Sequence, residues 1–304
     1  MSMNWNNGNG LDFSDGVYTQ GEFDYRDLRG ANFSNSHLIK CDFRSANLAG
    51  AIFDGAKIDQ SDFSNSRWEN ATAIGAEISD SDFKEAHVRR SNFSGARFKY
   101  TDFADASLIA CDFSNSNFYI PGLQNTSLMD SILDFSIMYG GGAGGPSNWR
   151  GVSLWRFGGY NLEDIDPYHL PEGWSLIGNH LLGPGALVGP SYPADEFWFQ
   201  DVEIRGVEFR EIDFRGSEIN DVNFSNCRFF DCSFQGANFA GTNFGTSHFY
   251  NWNSELSFSG STVSGVIFPN FVRNLGGEAV SGRPMHLPHG YRFVDDSIVQ
   301  ASAK

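Results

Sequence analysis

The chain is poor in basic residues and poorer in cysteine. Only 21 of its 304 residues are Lys or Arg, against 37 Asp or Glu, which leaves a formal net charge of −16. Nucleic-acid binding rests on clustered positive charge that neutralises phosphates, so direct nucleic-acid binding is not expected. Four cysteines (Cys41, Cys111, Cys227 and Cys232) read as reduced core residues rather than a disulfide set. No apolar run reaches bilayer-spanning length, which excludes a transmembrane helix and predicts no membrane partner. The first ten residues lack the basic and apolar stretches of a signal peptide. These absences predict a protein that is not secreted by a signal peptide. It is expected in the cytoplasm, or in a virion if a phage encodes it.

Catalytic signatures are missing as well. The run Gly140–Gly145 is followed by no Gly-Lys-Ser/Thr and no helix signal, so it is not a phosphate loop. There is no Gly-x-Ser-x-Gly elbow and no convergent Ser/His/Asp set. His286 and His289 flank Leu287 and Pro288 with no helix and no nearby Cys or paired carboxylates, a poor start for a metal site. Asp164 and Asp166 lack EF-hand spacing and its Gly. The sequence therefore predicts no enzyme, no cofactor and no metal.

What the chain does have is a period of five. From Phe13 to Met138, 26 consecutive five-residue steps each land on an apolar residue. Neither the helix period of 3.6 nor the strand period of 2 produces that. Two positions before each centre sits Ala, Ser, Cys, Thr or Gly, as at Ala31, Ser36, Cys41 and Ala46, with exceptions at Leu11, Arg26 and Pro121. A fixed short repeat marks a solenoid, whose units bury their apolar faces only by stacking. A chain that turns a corner every five residues closes a square coil every twenty. Centres sorted by twenties agree: Phe23, Phe43, Phe63, Phe83 and Phe103 fall on one side, and Leu28, Leu48, Trp68, Val88 and Leu108 on the next. At roughly 4.8 Å per coil the first block is a rod about 31 Å long. Asp alternates with Asn and Ser just before the centres, which suits turn hydrogen bonding better than catalysis.

Segments such as Ala-Asn-Phe-Ser-Asn at 31–35 and Ala-Asn-Leu-Ala-Gly at 46–50 make the chain resemble the pentapeptide-repeat proteins. The resemblance covers about two thirds of the chain, with Phe preferred to Leu at the centre. It implies an all-β fold, a right-handed quadrilateral β-helix with the centres packed inside.

The rhythm resumes from Phe199 to Phe249, with bulkier inward residues at first (Val202, Val207, Ile212 and Val222), which suggests a looser coil there. After a slip of one residue, Phe258, Val263 and Phe268 continue it, and residues 250–257 are read as a loop or bulge carrying Trp252. Between the blocks lies material rich in aromatics and Gly. Within it, residues 169–183 read as a β-hairpin turning at Gly178-Asn179. A similar Leu-Pro-x-Gly-aromatic segment returns at 286–299 and turns at Asp295-Asp296. In large bacterial and phage pentapeptide-repeat proteins, such hairpins resemble elements that introduce new coils. The predicted organisation is a tail at 1–10, a first β-helix block at 11–138, an insert at 139–198, a second block at 199–268 and a C-terminal segment at 269–304.

Four of the seven tryptophans, Trp149, Trp155, Trp174 and Trp198, lie in the insert. They fit either a self-contained small core or a partner surface, since aromatics are enriched at interfaces. Together with Tyr291 and Phe293 they form the candidate protein-binding set. The expected function is a non-catalytic structural or protein-docking component of a larger assembly, such as a phage particle or tail. Its expected partners are further copies of the chain or other subunits. Two alternatives stay open. One is a cytosolic protein-binding scaffold. The other follows from the resemblance: an acidic rod that imitates DNA and binds DNA gyrase or a topoisomerase, as in quinolone resistance. Mimicry requires the acids to line up along one side.

Overall fold

A computed structural model shows how a period of five becomes a coil. It describes residues 10–140 and 147–160 continuously, most of 162–188 and 204–250, positions within 283–301, the strand backbones at 198–200, 256–257 and 275–276, and Phe268. The chain divides into two units, Met1–Glu172 and Gly173–Lys304.

In the first unit every fifth residue from Asp15 to Phe135 takes a left-handed conformation, with φ between 48° and 71°. Each such residue is a corner. Short parallel strands run along the sides: β1 (Val17–Thr19), β2 (His37–Ile39), β3 (Lys57–Asp59), β4 (Arg67–Glu69), β5 (Glu77–Ser79), β6 (His87–Arg89), β7 (Arg97–Lys99), β8 (Ser107–Ile109), β9 (Asn117–Tyr119), β10 (Ile137–Tyr139) and β11 (Gly158–Tyr160). One sheet has the order β1-β2-β3-β5-β7-β9-β10-β11 and another the order β4-β6-β8. Partners lie twenty residues apart, as in Leu38↔Ile58 and Trp68↔Val88. The remaining sides pair through single bridges in the same register, such as Asn32↔Ile52 and Asp42↔Asp62.

Corner geometry accounts for the polar residues of the repeat. The Oδ1 of the residue before a centre accepts the backbone N–H two positions on, as in Asp62 with Ser64 at 2.8 Å, Asn92 with Ser94 at 2.8 Å and Asp112 with Ser114 at 2.8 Å. These side-chain turns supply acceptors that the narrow corner would otherwise lack.

All centres from Phe23 to Met138 are at most 4% exposed. Like stacks on like: Phe23 on Phe43 at 4.5 Å, Phe43 on Phe63 at 4.6 Å and Phe63 on Phe83 at 4.8 Å. The small inward residues sit between these rings, and their hydroxyls bond to backbone. Ser131 Oγ donates to Leu108 O at 2.9 Å, and Thr126 Oγ1 donates to Phe103 O at 2.7 Å. Cys41 and Cys111 occupy the same position, free and buried.

The coil does not end at residue 138. Strand β10 pairs with β11 through Ile137↔Gly158, a step of 21 rather than 20. Ser127↔Asn148 and Ile132↔Ser153 keep the same shifted register. Ser147, Trp149, Val152, Leu154 and Phe157 point inward and are at most 5% exposed. The expected start of the insert at 139 is therefore corrected: residues 147–160 are a further side-by-side turn of the first block. On the β11 side Gly159 pairs with Met138, and Phe157 is fully buried where earlier turns carry a small residue. Large and small have changed places.

The second unit opens with the antiparallel pair Ser175–Ile177 and His180–Leu182, in the register Leu176↔Leu181. The hairpin expected there is present, although residues 178 and 179 lie outside the described residues. The second block also starts earlier than 199. Leu187–Val188 pairs with the Glu208–Arg210 strand, again with a step of 21, and Ala186 is fully buried. Twenty-residue steps then lead to Arg228–Phe230 and His248–Tyr250. Phe209, Phe229 and Phe249 stack at 4.9 Å intervals. Val207, Ile212 and Val222 all point inward, at most 2% exposed; Val202 and Trp252 lie outside the described residues. The C-terminal hairpin pairs Tyr291–Val294 with Ser297–Gln300, and Asp295 and Asp296 at its turn have φ of 45° and 54°. Two positive φ values make a type I′ turn, whose twist suits a hairpin.

Candidate functional site

The outward residues of a coil carry no packing duty, so any partner must be recognised there. An exposed ladder of large apolar side chains runs over β7, β9 and β10 and their corners. Tyr100, Tyr119, Ile120, Ile137 and Tyr139 are 39–44% exposed. Tyr119 stacks on Tyr139 at 5.6 Å and meets Tyr100 edge-on at 5.5 Å. The twenty-residue step places Tyr119 and Tyr139 in adjacent coils. Lys99 Nζ lies 5.2 Å from the centroid of the Tyr100 ring, and Arg97 Nη1 pairs with Glu77 Oε1 at 3.5 Å. The ladder is thus aromatic with a cationic margin.

Two of its members are held at a cost. Tyr100 and Ile120 are corner residues with φ of 51° and 48°. A β-branched residue at positive φ is an outlier, and Gly or Asn would relieve the strain. Gly140, the next corner in that column, makes room: a Cβ there would meet Ile120 Cγ1 at 3.1 Å. Phe135 (φ 59°, 51% exposed) is a similar case on another side.

The candidate residues read from sequence fare differently. Trp149 is completely buried, and its Nε1 donates to Ser147 Oγ at 2.7 Å. Trp68 Nε1 donates to Ser66 Oγ at 2.8 Å in the same way. Trp149 is therefore a core centre, and its assignment to a partner surface is corrected. Trp155 is 52% exposed. Trp174 is half-buried and lies against Gly183, where no Cβ could fit beneath the indole. Trp198 lies in the Trp198–Gln200 strand, its side chain outside the described residues. Tyr291 and Phe293 are half-buried on the C-terminal hairpin, where Phe293 pairs with the buried Ile298. Trp149 and Trp155 fall in the first unit, and Trp174, Trp198, Tyr291 and Phe293 in the second. The sequence reading missed the tyrosine ladder, although its signal was present: aromatics twenty residues apart, and large apolar residues at corner positions where Asn, Asp and Gly recur.

A second feature is the column Glu22, Asp42, Asp62, Asp82 and Asp102, bridged in register down one side. Two cations interrupt it. Arg44 pairs with Asp42 at 2.5 Å and Asp62 at 3.7 Å, and Lys84 pairs with Asp82 at 2.9 Å and Asp102 at 3.0 Å. Hydrogen bonds from Arg44 hold the Asp42 carboxyl below its ordinary range, and those to Asp82 and Asp102 raise Lys84.

Buried titratable groups carry no reactive signature. Burial pushes the Cys111 and Cys227 thiols up to about 12, so both stay protonated and poorly nucleophilic. Burial likewise lowers His180 to about 4, leaving it neutral. No group of three or more His, Cys, Asp or Glu among the described residues is placed to hold a metal ion.

A family model described as pentapeptide repeats matches residues 27–65, 53–90, 89–119 and 204–245, with 8 copies. Among solved structures, the chain is similar to HetL, a pentapeptide-repeat protein involved in heterocyst differentiation regulation from the cyanobacterium Nostoc sp. strain PCC 7120. Identity is 15%, coverage 86% of this chain and 89% of that one, and the TM-score 0.42. It is also similar to a trypsin-treated form of QnrB1, a plasmid-mediated fluoroquinolone resistance protein, with 13% identity, coverage of 81% and 93%, and a TM-score of 0.38. No curated protein sequence matches the chain.

Proposed function

Since the chain carries pentapeptide repeats coiled as a β-solenoid, with the described interior filled by its own repeats, we propose that it is a non-catalytic docking component of a larger assembly. Its contact surface is the aromatic ladder of Tyr100, Tyr119, Ile120, Ile137 and Tyr139. One observation carries the reading: large apolar side chains occupy strained, exposed corners where small polar residues would be more stable. Backbone strain of this kind persists where a function requires it, and tyrosine is favoured at interfaces for its rigid, amphipathic ring.

The occupant is a second copy of the chain. The ladder is margined by Arg97 and Lys99, whereas the chain as a whole is strongly acidic, so a neighbouring copy offers the complementary charge. Sedimentation of the full chain should show concentration-dependent self-association. The double variant Tyr119→Ser, Tyr139→Ser should abolish it with little change in melting temperature. A wild-type chain that stays monomeric up to about 100 μM would overturn the proposal.

DNA mimicry remains a second reading because the acidic column is real. Acids at roughly 4.8 Å steps along one side are what it requires. Arg44 and Lys84 weaken it, each neutralising part of two neighbouring rungs. The column is therefore read as a set of corner hydrogen-bond acceptors tied by bridging cations.

A further inference from the structure

On strands β4 and β6 the guanidinium groups outnumber the carboxylates. The register is Arg67↔His87, Trp68↔Val88 and Glu69↔Arg89. Trp68 and Val88 are fully buried, so Arg67, Glu69, His87 and Arg89 project outward together, and Arg90 follows at the corner. Arg67, Glu69, His87 and Arg89 line a notch of about 250 Å³ with Trp68 as its floor.

Only one carboxylate stands on these strands to serve them. Glu69 holds Arg67 at 3.5 Å on one side and Arg90 at 3.9 Å on the other. Arg89 pairs with no carboxylate among the described residues. Several other cations of the unit are each held by a carboxylate of their own: Arg29 by Asp27, Arg44 by Asp42, Lys84 by Asp82 and Arg97 by Glu77. Three guanidinium groups, those of Arg67, Arg89 and Arg90, thus share the single carboxylate of Glu69, and the cluster keeps a net positive charge that an anion would neutralise. Its geometry suits one. Outward residues of adjacent strands lie roughly 4.8 Å apart, and the planar fork of arginine matches the oxygens of phosphate in a bidentate fashion. Glu69 orients two guanidinium groups from either side, and Arg89 and His87 complete the rim.

We propose that this notch binds a phosphate-class oxyanion, free or carried on a phosphorylated polypeptide, through Arg67, His87, Arg89 and Arg90. It lies on strands other than those of the aromatic ladder, and neither assignment depends on the other. The full-length protein is titrated calorimetrically at low salt with inorganic phosphate, with pyrophosphate, and with a short phosphoserine peptide and its unphosphorylated twin. Saturable binding at one site per chain is expected. Arg89→Gln should weaken it about tenfold, the loss of one charge-assisted hydrogen bond. Arg29→Gln, whose side chain is already held by Asp27, should leave it unchanged. Phosphate and pyrophosphate saturating as well as the peptide would identify a free anion. Saturation by the phosphopeptide alone would identify a modified polypeptide. The proposal fails if none of the three probes saturates below about 10 mM, or if Arg29→Gln weakens binding as much as Arg89→Gln.

Discussion

A single ring decides a coil. Phe63 is fully buried between Phe43 and Phe83, with centroids at 4.6 Å and 4.8 Å. Removing it opens a cavity that the stacked coils on either side cannot collapse into. Phe63→Ala should therefore cost about 3–5 kcal/mol, while Ser64→Ala, on the outer side of the corner, should cost less than about 0.5 kcal/mol. Trp149→Ala should fall with Phe63→Ala, and Trp155→Ala with Ser64→Ala, because the first indole is core and the second is half in water. Thermal denaturation of the four variants checks this. Equal, small shifts in all four would refute the inward assignments. The centres were legible in the sequence because each repeats the same contact. Trp149 was not, because one extra residue within the preceding Gly-rich stretch hides its phase.

At the scale of the element, the corner is where stability and function pull apart. A left-handed conformation costs an L-residue roughly 1–2 kcal/mol, and side-chain branching at Cβ adds to it. Ile120 pays this at φ 48° while leaving 43% of its surface in water. Ile120→Gly should raise the stability of the first unit by about 1 kcal/mol and weaken self-association in the same sample. Calorimetry and sedimentation on one preparation check both. A melting temperature that falls would show that Ile120 is structural and would remove the strain argument for the ladder. The twenty-residue spacing of Tyr119 and Tyr139 could be read from the sequence. The strain at position 120 could not, since it arises only when the corner conformation is known.

For the molecule as a whole, coil ends are the exposed liability, since an unpaired strand edge invites further pairing. The C-terminal hairpin is tied into its own unit. Ile298 is 2% exposed, Phe268 N–H donates to His286 O at 3.1 Å, and His286 Nδ1 lies 2.8 Å from Phe268 O. These contacts favour a cap over a docking element. Deleting residues 286–304 should lower the melting temperature and promote aggregation, read by calorimetry and light scattering. A truncated chain that keeps its melting temperature would show that the hairpin caps nothing. The acidic column makes the opposite kind of statement about function. With Arg44 and Lys84 bridging its rungs, the chain should give DNA gyrase no protection from a quinolone. Protection at low micromolar protein that fades steeply with salt would restore the mimicry reading.

By itself the sequence determined the repeat, the inward residues, the all-β coil and both hairpins. Each of these follows from local chemistry recurring at a fixed interval: a small residue, an apolar centre, and a polar side chain that closes the corner. Only the tertiary structure showed that the first block runs on past residue 138. A step of 21 preserves strand pairing in space while breaking the period in the chain. The surface was likewise decided by stacking. Outward residues twenty apart become neighbours at one strand spacing, so the tyrosine ladder, the bridged acids and the arginine notch exist only once the coils are laid side by side.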